Sequence, residues 1–244
     1  MQLFGLVGYP LGHSFSKKYF TAKFNMEGLD ALYENYETTN LADLRSSLSL
    51  VQDLRGLNVT IPYKSQVIDF LDSYDEVVGK LKACNCISIR NGKWRGSNTD
   101  VIGFEKSFIK KWKPPQRHAL ILGTGGSARA VEFVLQKLGI AYLFVSRKKI
   151  NEITIGYDDI NPRILADYTI LINTTPTGMY PNVNEYPQFD YDLLTPAHYL
   201  FDLIYNPVKT GFLEQGEARG AVIENGYQML IEQAEESWMI WNAG

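Results

Sequence analysis

The sequence predicts an α/β protein made of two successive domains, and three observations carry that reading. Short apolar runs alternate with helical stretches along most of the chain, the pattern of strands covered on both faces. Pro114-Pro115 breaks the alternation near the middle, and the series resumes behind it. A glycine-rich turn, GTGGSA at 123–128, joins an apolar run to a helical one at the start of the second series. With 244 residues the chain can bury one large core or two smaller ones.

The elements follow in order. QLFGLVG (2–8) is apolar and reads as a buried strand. Ser14 can cap a helix from Phe15 to about Met26, closed by Gly28, with Tyr19, Phe20 and Phe24 on its inner face. ALYENYE (31–37) alternates as a strand does, and Asn40 can cap a helix reaching about Val51. LNVTI (57–61) is a strand stopped by Pro62, and 65–71 and 75–82 read as helices. CISIR, the turn Asn91-Gly92 and KWRGS form a hairpin. Thr99 can cap a helix from Asp100 to about Trp112. Behind the prolines, HALILG (118–123), AYLFVS (141–146), YTILINT (168–174), HYLFDLIY (198–205) and GAVIEN (220–225) read as strands. Residues 126–138 form a helix ended by Gly139, whereas 149–169 has little helix signal. Tyr227, Leu230, Ile231, Ala234, Trp238 and Trp241 recur near period 3.6, marking a last helix.

Composition excludes several classes. A hydrophobic fraction of 45% with 21% charged residues is that of a folded chain, not a disordered one. A net charge of −3 offers no footprint for nucleic acid or an anionic membrane. No run approaches the ~18 apolar residues of a membrane span, and MQLFGLVGYPLGHS lacks the basic n-region of a secretory signal. Cys84 and Cys86 are two apart in a strand, a poor geometry for a mutual disulfide, so a reducing cytoplasm is expected. His13, His118 and His198 are scattered without metal-ligand spacing, so no metal is expected.

The chemistry gathers at a few places. Gly123-Thr124-Gly125-Gly126-Ser127-Ala128 is a G-x-G-x-x-A turn: one glycine for the bend, one for close backbone approach to a pyrophosphate, and a small residue for helix–strand packing. The helix start behind it offers N–H groups to phosphate. The following strand ends in Ser146-Arg147-Lys148-Lys149 where an NAD site would carry an acid, a pattern suited to a 2′-phosphate or simply to a solvated basic loop. Lys64 and Asp100 lie at element ends of the first domain and could pass a proton, although for each taken alone an exposed charge is the ordinary reading. Ser14, Ser16, Asn58, Thr60, Asn85 and Asn98 are polar groups near element ends, where turn hydrogen bonds are the ordinary reading. Gln233 shares a helix face with Met229, by itself a surface feature.

Taken together, GYPLGHSFS (8–16), NVTIPYK (58–64), ACN (83–85), NTD (98–100), GTGGSARA (123–130), NTTPTGM (173–179), DLIYNPVKT (202–210) and NGYQMLIEQA (225–234) make the chain resemble the shikimate dehydrogenase family over nearly its whole length. The resemblance implies an N-terminal substrate domain at 1–103, on which the C-terminal helix at 227–244 packs back, a Rossmann NADP-binding domain at 104–226, and an active site in the cleft between them. It implies reversible NADPH-dependent reduction of 3-dehydroshikimate to shikimate, on the pathway to chorismate and the aromatic amino acids. Lys64 and Asp100 match the catalytic pair. Ser14 and Ser16 match the substrate carboxylate site, and Asn58, Thr60, Asn85, Asp100 and Gln233 the hydroxyl-binding groups. Gly123 to Ala128 match the phosphate loop, and Ser146, Arg147 and Lys148 the 2′-phosphate site. Thr174, Thr175, Met179, Ile204, Tyr205, Gly226 and Met229 match the lining of the nicotinamide or substrate pocket, Tyr205 on the substrate side.

The implied partner is a small molecule, without nucleic acid or membrane, for a monomer or homodimer. Three features depart from the family pattern: ACNCIS around Asn85, the short stretch between Lys149 and Thr169 where a loop is expected in place of the Rossmann helix, and Ser146 where relatives often have asparagine. The rival readings are a quinate/shikimate dehydrogenase of the same fold and a cofactor-binding regulatory protein that has lost catalysis. The serine pair and the absence of an acid after Val145 lean against an NAD-using version, and retention of Lys64 and Asp100 against loss of catalysis.

Overall fold

The first apolar run is β1 (Gln2–Gly8), buried from Phe4 onward as a strand covered on both faces must be. The computed structural model describes residues 1–12, 15–148 and 151–243. α1 (Phe15–Glu27) buries Phe20 and Phe24; its expected cap, Ser14, lies outside the described residues. β2 (Ala31–Glu37) runs parallel to β1, and Tyr33 stacks on Phe20 with centroids 4.7 Å apart. α2 (Leu41–Leu48) is capped by Asn40, whose side chain accepts from the Ala42 N–H at 3.0 Å, and it stops short of the expected Val51.

β3 (Leu54–Val59) flanks β1 on its other side. It starts and ends earlier than 57–61, so Thr60 already belongs to the turn. The 65–71 stretch winds only as a 3₁₀ turn, Gln66–Phe70. β4 (Ser73–Tyr74), which the sequence did not announce, and α3 (Glu76–Leu81) follow. β5 (Cys86–Arg90) and β6 (Lys93–Ser97) form the expected hairpin, with Asn91 and Gly92 at φ 49° and 73°, the positive pair of a type I′ turn. The sheet order is β2-β1-β3-β5-β6-β4.

α4 (Thr99–Phe108) includes Thr99 as a helical residue rather than its cap, and ends before Trp112. The physical reason lies elsewhere in the chain: Asn85 Oδ1 accepts the Thr99 N–H at 2.7 Å and does the capping from outside the helix.

The second sheet is built from β7 (His118–Leu122), α5 (Gly126–Lys137), β8 (Ala141–Val145), β9 (Thr154–Ile155), α6 (Pro162–Asp167), β10 (Ile170–Asn173), β11 (Tyr199–Asp202), α7 (Gly211–Ala218) and β12 (Val222–Glu224). Its strands are parallel in the order β12-β11-β10-β7-β8-β9, a doubly wound sheet whose order reverses between β7 and β10. In place of a full helix after β8 come β9, a 3₁₀ turn at Tyr157–Asp159 and the six-residue α6.

α8 (Tyr227–Asn242) closes the chain. Its Trp241 indole stacks on Phe4 at 4.9 Å and donates to the Ile87 carbonyl at 3.0 Å. The chain divides into two compact units, Met1–Thr99 with Gln233–Gly244, and Asp100–Glu232. The first holds cores around Leu57 and Ile87 and around Phe4 and Phe20, the second a core around Leu120, Leu171 and Leu200.

Candidate active site

In the first unit, β2, β3, the entry to β5, the start of α4 and α8 bring polar side chains into one buried cluster. The Tyr33 phenol donates to Asn58 Oδ1 at 2.8 Å, and the Ser16 hydroxyl bonds the same phenol. Full burial holds the Tyr33 pKa well above its ordinary value, so it remains a donor. Asn58 Nδ2 donates to Ser237 Oγ at 2.9 Å and to the Asn85 carbonyl at 3.3 Å. Asn85 Nδ2 donates to Thr99 Oγ1 at 3.1 Å and faces Gln233 Oε1 at 3.5 Å. The Asn98 side chain donates to the Ala83 carbonyl at 2.9 Å, the turn role expected of it.

Thr60 and Lys64 sit beyond the end of β3 in a turn tied at both ends. The Thr60 N–H donates to the Val7 carbonyl at 2.8 Å, and the Lys64 carbonyl accepts from Cys84 N–H at 2.7 Å, next to Asn85. Lys64 is half-buried rather than solvated, and Asp100 is buried in the first turn of α4. Gln233 is half-buried and Met229 buried, so neither is the surface residue its spacing alone suggests. The cluster thus joins Ser16, Asn58, Asn85 and Gln233, with Thr60 and Lys64 beside it along the chain; Ser14 is outside the described residues. Tyr33, Thr99 and Ser237 are cluster members that motif reading missed. Burial pushes the Cys84 thiol up to about 12 and raises Cys86 as well, leaving both as protonated packing groups. Among the described residues no group of three His, Cys, Asp or Glu could hold a metal ion.

In the second unit the glycine turn at 123–128 lies at the order reversal of the sheet. Gly123 has φ 106°, and a Cβ there would meet Thr174 Oγ1 at 2.8 Å and Thr175 Cγ2 at 2.9 Å, so the bend needs glycine. At Gly125 and Gly126 a Cβ would meet nothing within 4 Å, which leaves the N-terminus of α5 open to close approach by a phosphate. Thr124 is half-buried, Ser127 exposed, and Ala128 is packed inside.

At the end of β8, Ser146 N–H donates to the Ile155 carbonyl at 3.0 Å and Ser146 Oγ accepts from Lys148 N–H at 3.3 Å. Arg147 and Lys148 are exposed, and Lys149 lies outside the described residues. The charge of Arg147 acts on the Tyr157 phenol, whose pKa burial raises. An open backbone cradle followed by two accessible cations and no carboxylate suits a dinucleotide bearing an extra phosphate.

The remaining loops hang on a carboxylate that the sequence reading did not single out. Asp202, at the end of β11, is buried and accepts from Asn173 Nδ2 at 3.1 Å, Ile204 N–H at 3.0 Å and Thr210 Oγ1 at 2.5 Å. Burial raises its pKa to about 7 against these three bonds. Asn173 Oδ1 takes the Thr175 hydroxyl at 2.7 Å, Thr174 Oγ1 donates to the Leu122 carbonyl at 2.7 Å, and Gly226 N–H donates to the Ile204 carbonyl at 3.0 Å. The expected lining residues Thr174, Thr175, Ile204 and Gly226 are therefore locked together. Ile204 is buried, Tyr205 half-buried and Met179 exposed.

Similarity to known proteins agrees with this geometry. The shikimate dehydrogenase substrate binding domain matches residues 6–87. The chain is 35% identical over 253 residues to the shikimate dehydrogenase (NADP(+)) of Caldicellulosiruptor bescii, across 97% of this chain and 88% of that protein. A crystal structure of a shikimate dehydrogenase in complex with NADP⁺ is similar with a TM-score of 0.88 at 30% identity, over 100% of this chain and 91% of that one. The quinate dehydrogenase of Corynebacterium glutamicum in complex with NAD is similar with a TM-score of 0.89 at 26% identity, over 100% and 94%.

Proposed function

The chain belongs to the shikimate dehydrogenase family, and on that premise we propose that it catalyses the reversible NADPH-dependent reduction of 3-dehydroshikimate to shikimate. The strongest support is that the family's polar motif positions Ser16, Asn58, Asn85 and Gln233 fall in one buried cluster of uncharged donors and acceptors. Such a set matches a small molecule rich in hydroxyls and needs no metal. Ser14 and Ser16 hold the carboxylate, and Asn58, Thr60, Asn85 and Gln233 the ring hydroxyls.

When bound, the nicotinamide of NADPH supplies the hydride that reduces the ketone carbon. Lys64 gives a proton to the carbonyl oxygen as it becomes an alcohol, and Asp100 orients that oxygen and assists the transfer. In the oxidising direction the same pair takes the proton from the alcohol. Gly123 to Ala128 cradle the pyrophosphate, Ser146 and Arg147 take the 2′-phosphate, and Lys148 adds longer-range attraction to it. Thr174, Thr175, Met179, Ile204, Gly226 and Met229 line the nicotinamide side, and Tyr205 the substrate side. The end of β8 carries no acid to accept from a ribose 2′-hydroxyl, which favours NADP over NAD.

The test is NADPH consumption with 3-dehydroshikimate, followed by absorbance. Turnover that reverses on adding shikimate and NADP⁺ is the expected result. A chain that binds NADP⁺ but turns over neither substrate would be a regulatory relative, and the proposal would fail.

A further inference from the structure

We propose that Ser237 is a positioning residue for the substrate hydroxyl site, an inference that rests on the proposed shikimate reaction. Ser237 is fully buried on α8 and ties its own helix to β3 and α4 through one oxygen. It donates to the Gln233 carbonyl at 2.8 Å, accepts from Asn58 Nδ2 at 2.9 Å, and lies 3.3 Å from Thr99 Oγ1. A hydroxyl has one proton and two lone pairs, and the buried Cys86 side chain also bonds Ser237, so the Ser237 oxygen is fully engaged within the protein.

The consequences pass to the two asparagines. With Nδ2 held by Ser237 and by the Asn85 carbonyl, Asn58 must turn Oδ1 toward Tyr33, and that oxygen's second lone pair is what it can offer a ligand. Thr99, held from one side by Ser237, occupies both ends of the Asn85 amide. The bond of Asn85 to Gln233 is 3.5 Å long, beyond the ordinary N–H···O range. It is therefore the bond a substrate hydroxyl displaces, with Asn85 donating and Gln233 accepting. Gln233 and Ser237 are one helical turn apart, so the seat of Ser237 also sets the height of Gln233. Ser237 never meets the substrate in this scheme; it fixes which atoms do.

The experiment measures steady-state kinetics of the whole enzyme carrying Ser237→Ala, with Ser237→Cys as the conservative variant. For Ser237→Ala the KM for shikimate should rise about tenfold, as expected for a buried donor left unpaired. Its kcat and its KM for NADP⁺ should stay within about twofold of wild type, the split that loss of ground-state binding produces. Ser237→Cys should recover part of the loss. An unchanged KM for shikimate, or a parallel decline of kcat and both KM values, would overturn the inference. If Ser237→Ala does not fold, Ser237→Cys decides by the same split: a raised KM for shikimate with kcat and KM for NADP⁺ held supports the inference, and an unchanged KM for shikimate overturns it. A wild-type enzyme inactive with shikimate would overturn the underlying reaction instead, so the two failures are told apart.

Discussion

In the first unit the groups proposed to meet the substrate are side chains that already hold one another. Asn58, Asn85, Thr99 and Ser237 are buried and linked at 2.7 to 3.3 Å. In the second unit they are the backbone N–H groups at the start of α5 and two exposed cations, Arg147 and Lys148, with open space above Gly125 and Gly126. The two arrangements suit different ligands. A prebuilt amide and hydroxyl network dictates where each hydroxyl of a small ring must lie, because a misplaced one leaves buried groups unpaired. Backbone N–H groups at a helix end accept any phosphate, so discrimination between NADP and NAD must come from the accessible cations, whose attraction salt can screen. Substrate choice should be rigid and salt-insensitive, and cofactor choice graded and salt-sensitive.

The largest expected effect is on Lys64, the proposed proton donor. Lys64→Ala should lower kcat by roughly 10²- to 10⁴-fold with little change in KM for shikimate, since the group acts on the reacting oxygen in the transition state. Steady-state rates at saturating shikimate check this, and near-wild-type kcat would remove Lys64 from the mechanism.

Next comes Arg147→Ala. Losing a charge-assisted contact to phosphate costs on the order of 1.5–3 kcal/mol, or roughly 10- to 150-fold in kcat/KM for NADP⁺, while NAD⁺ should hardly respond. Comparing both cofactors in the variant measures it. A greater loss of NADP⁺ preference in Lys148→Ala than in Arg147→Ala would move the role to the lysine.

A stability effect follows from Asp202. Its folded pKa is raised from 3.8 to about 7, so the fold favours the protonated carboxyl. The stability this group contributes is full below about pH 4 and is lost as pH rises through about 7, a change on the order of 4 kcal/mol at most. Melting temperatures across that window should show a downward component in the wild type that Asp202→Asn removes. Parallel pH profiles in the two proteins would contradict the assignment.

The smallest effect belongs to Lys148→Ala, less than about threefold in kcat/KM for NADP⁺ and vanishing as salt is raised. A loss that persists in high salt would mean a direct contact.

The same contrast explains how much could be read from the sequence. The glycine turn was legible because it is local: Gly123 to Ala128 are consecutive, and the bend, the helix start and the small packing residue follow from their order. The buried strands were legible from their apolar runs. The two-residue strands β4 and β9 were not, since neither is long enough to show a period.

The hydroxyl cluster is non-local. Asn58 and Ser237 are 179 positions apart, and Tyr33 and Asn58 are 25 apart, so no pattern within a window could join them. Thr99 looked like a helix cap because its cap, Asn85, is 14 residues upstream on another element. Tyr33 and Ser237 carry no local signal of a site for the same reason. Asp202 stood within the quoted motif DLIYNPVKT without a role, because its partner Asn173 lies on the neighbouring strand.

The most direct test is a two-by-two comparison of kcat/KM, shikimate and quinate each with NADP⁺ and NAD⁺, at low and at high salt. The expected result is a strong preference for shikimate that salt leaves unchanged, together with a preference for NADP⁺ that shrinks as salt rises. Equal use of quinate, or the absence of any NADP⁺ preference at low salt, would contradict the account.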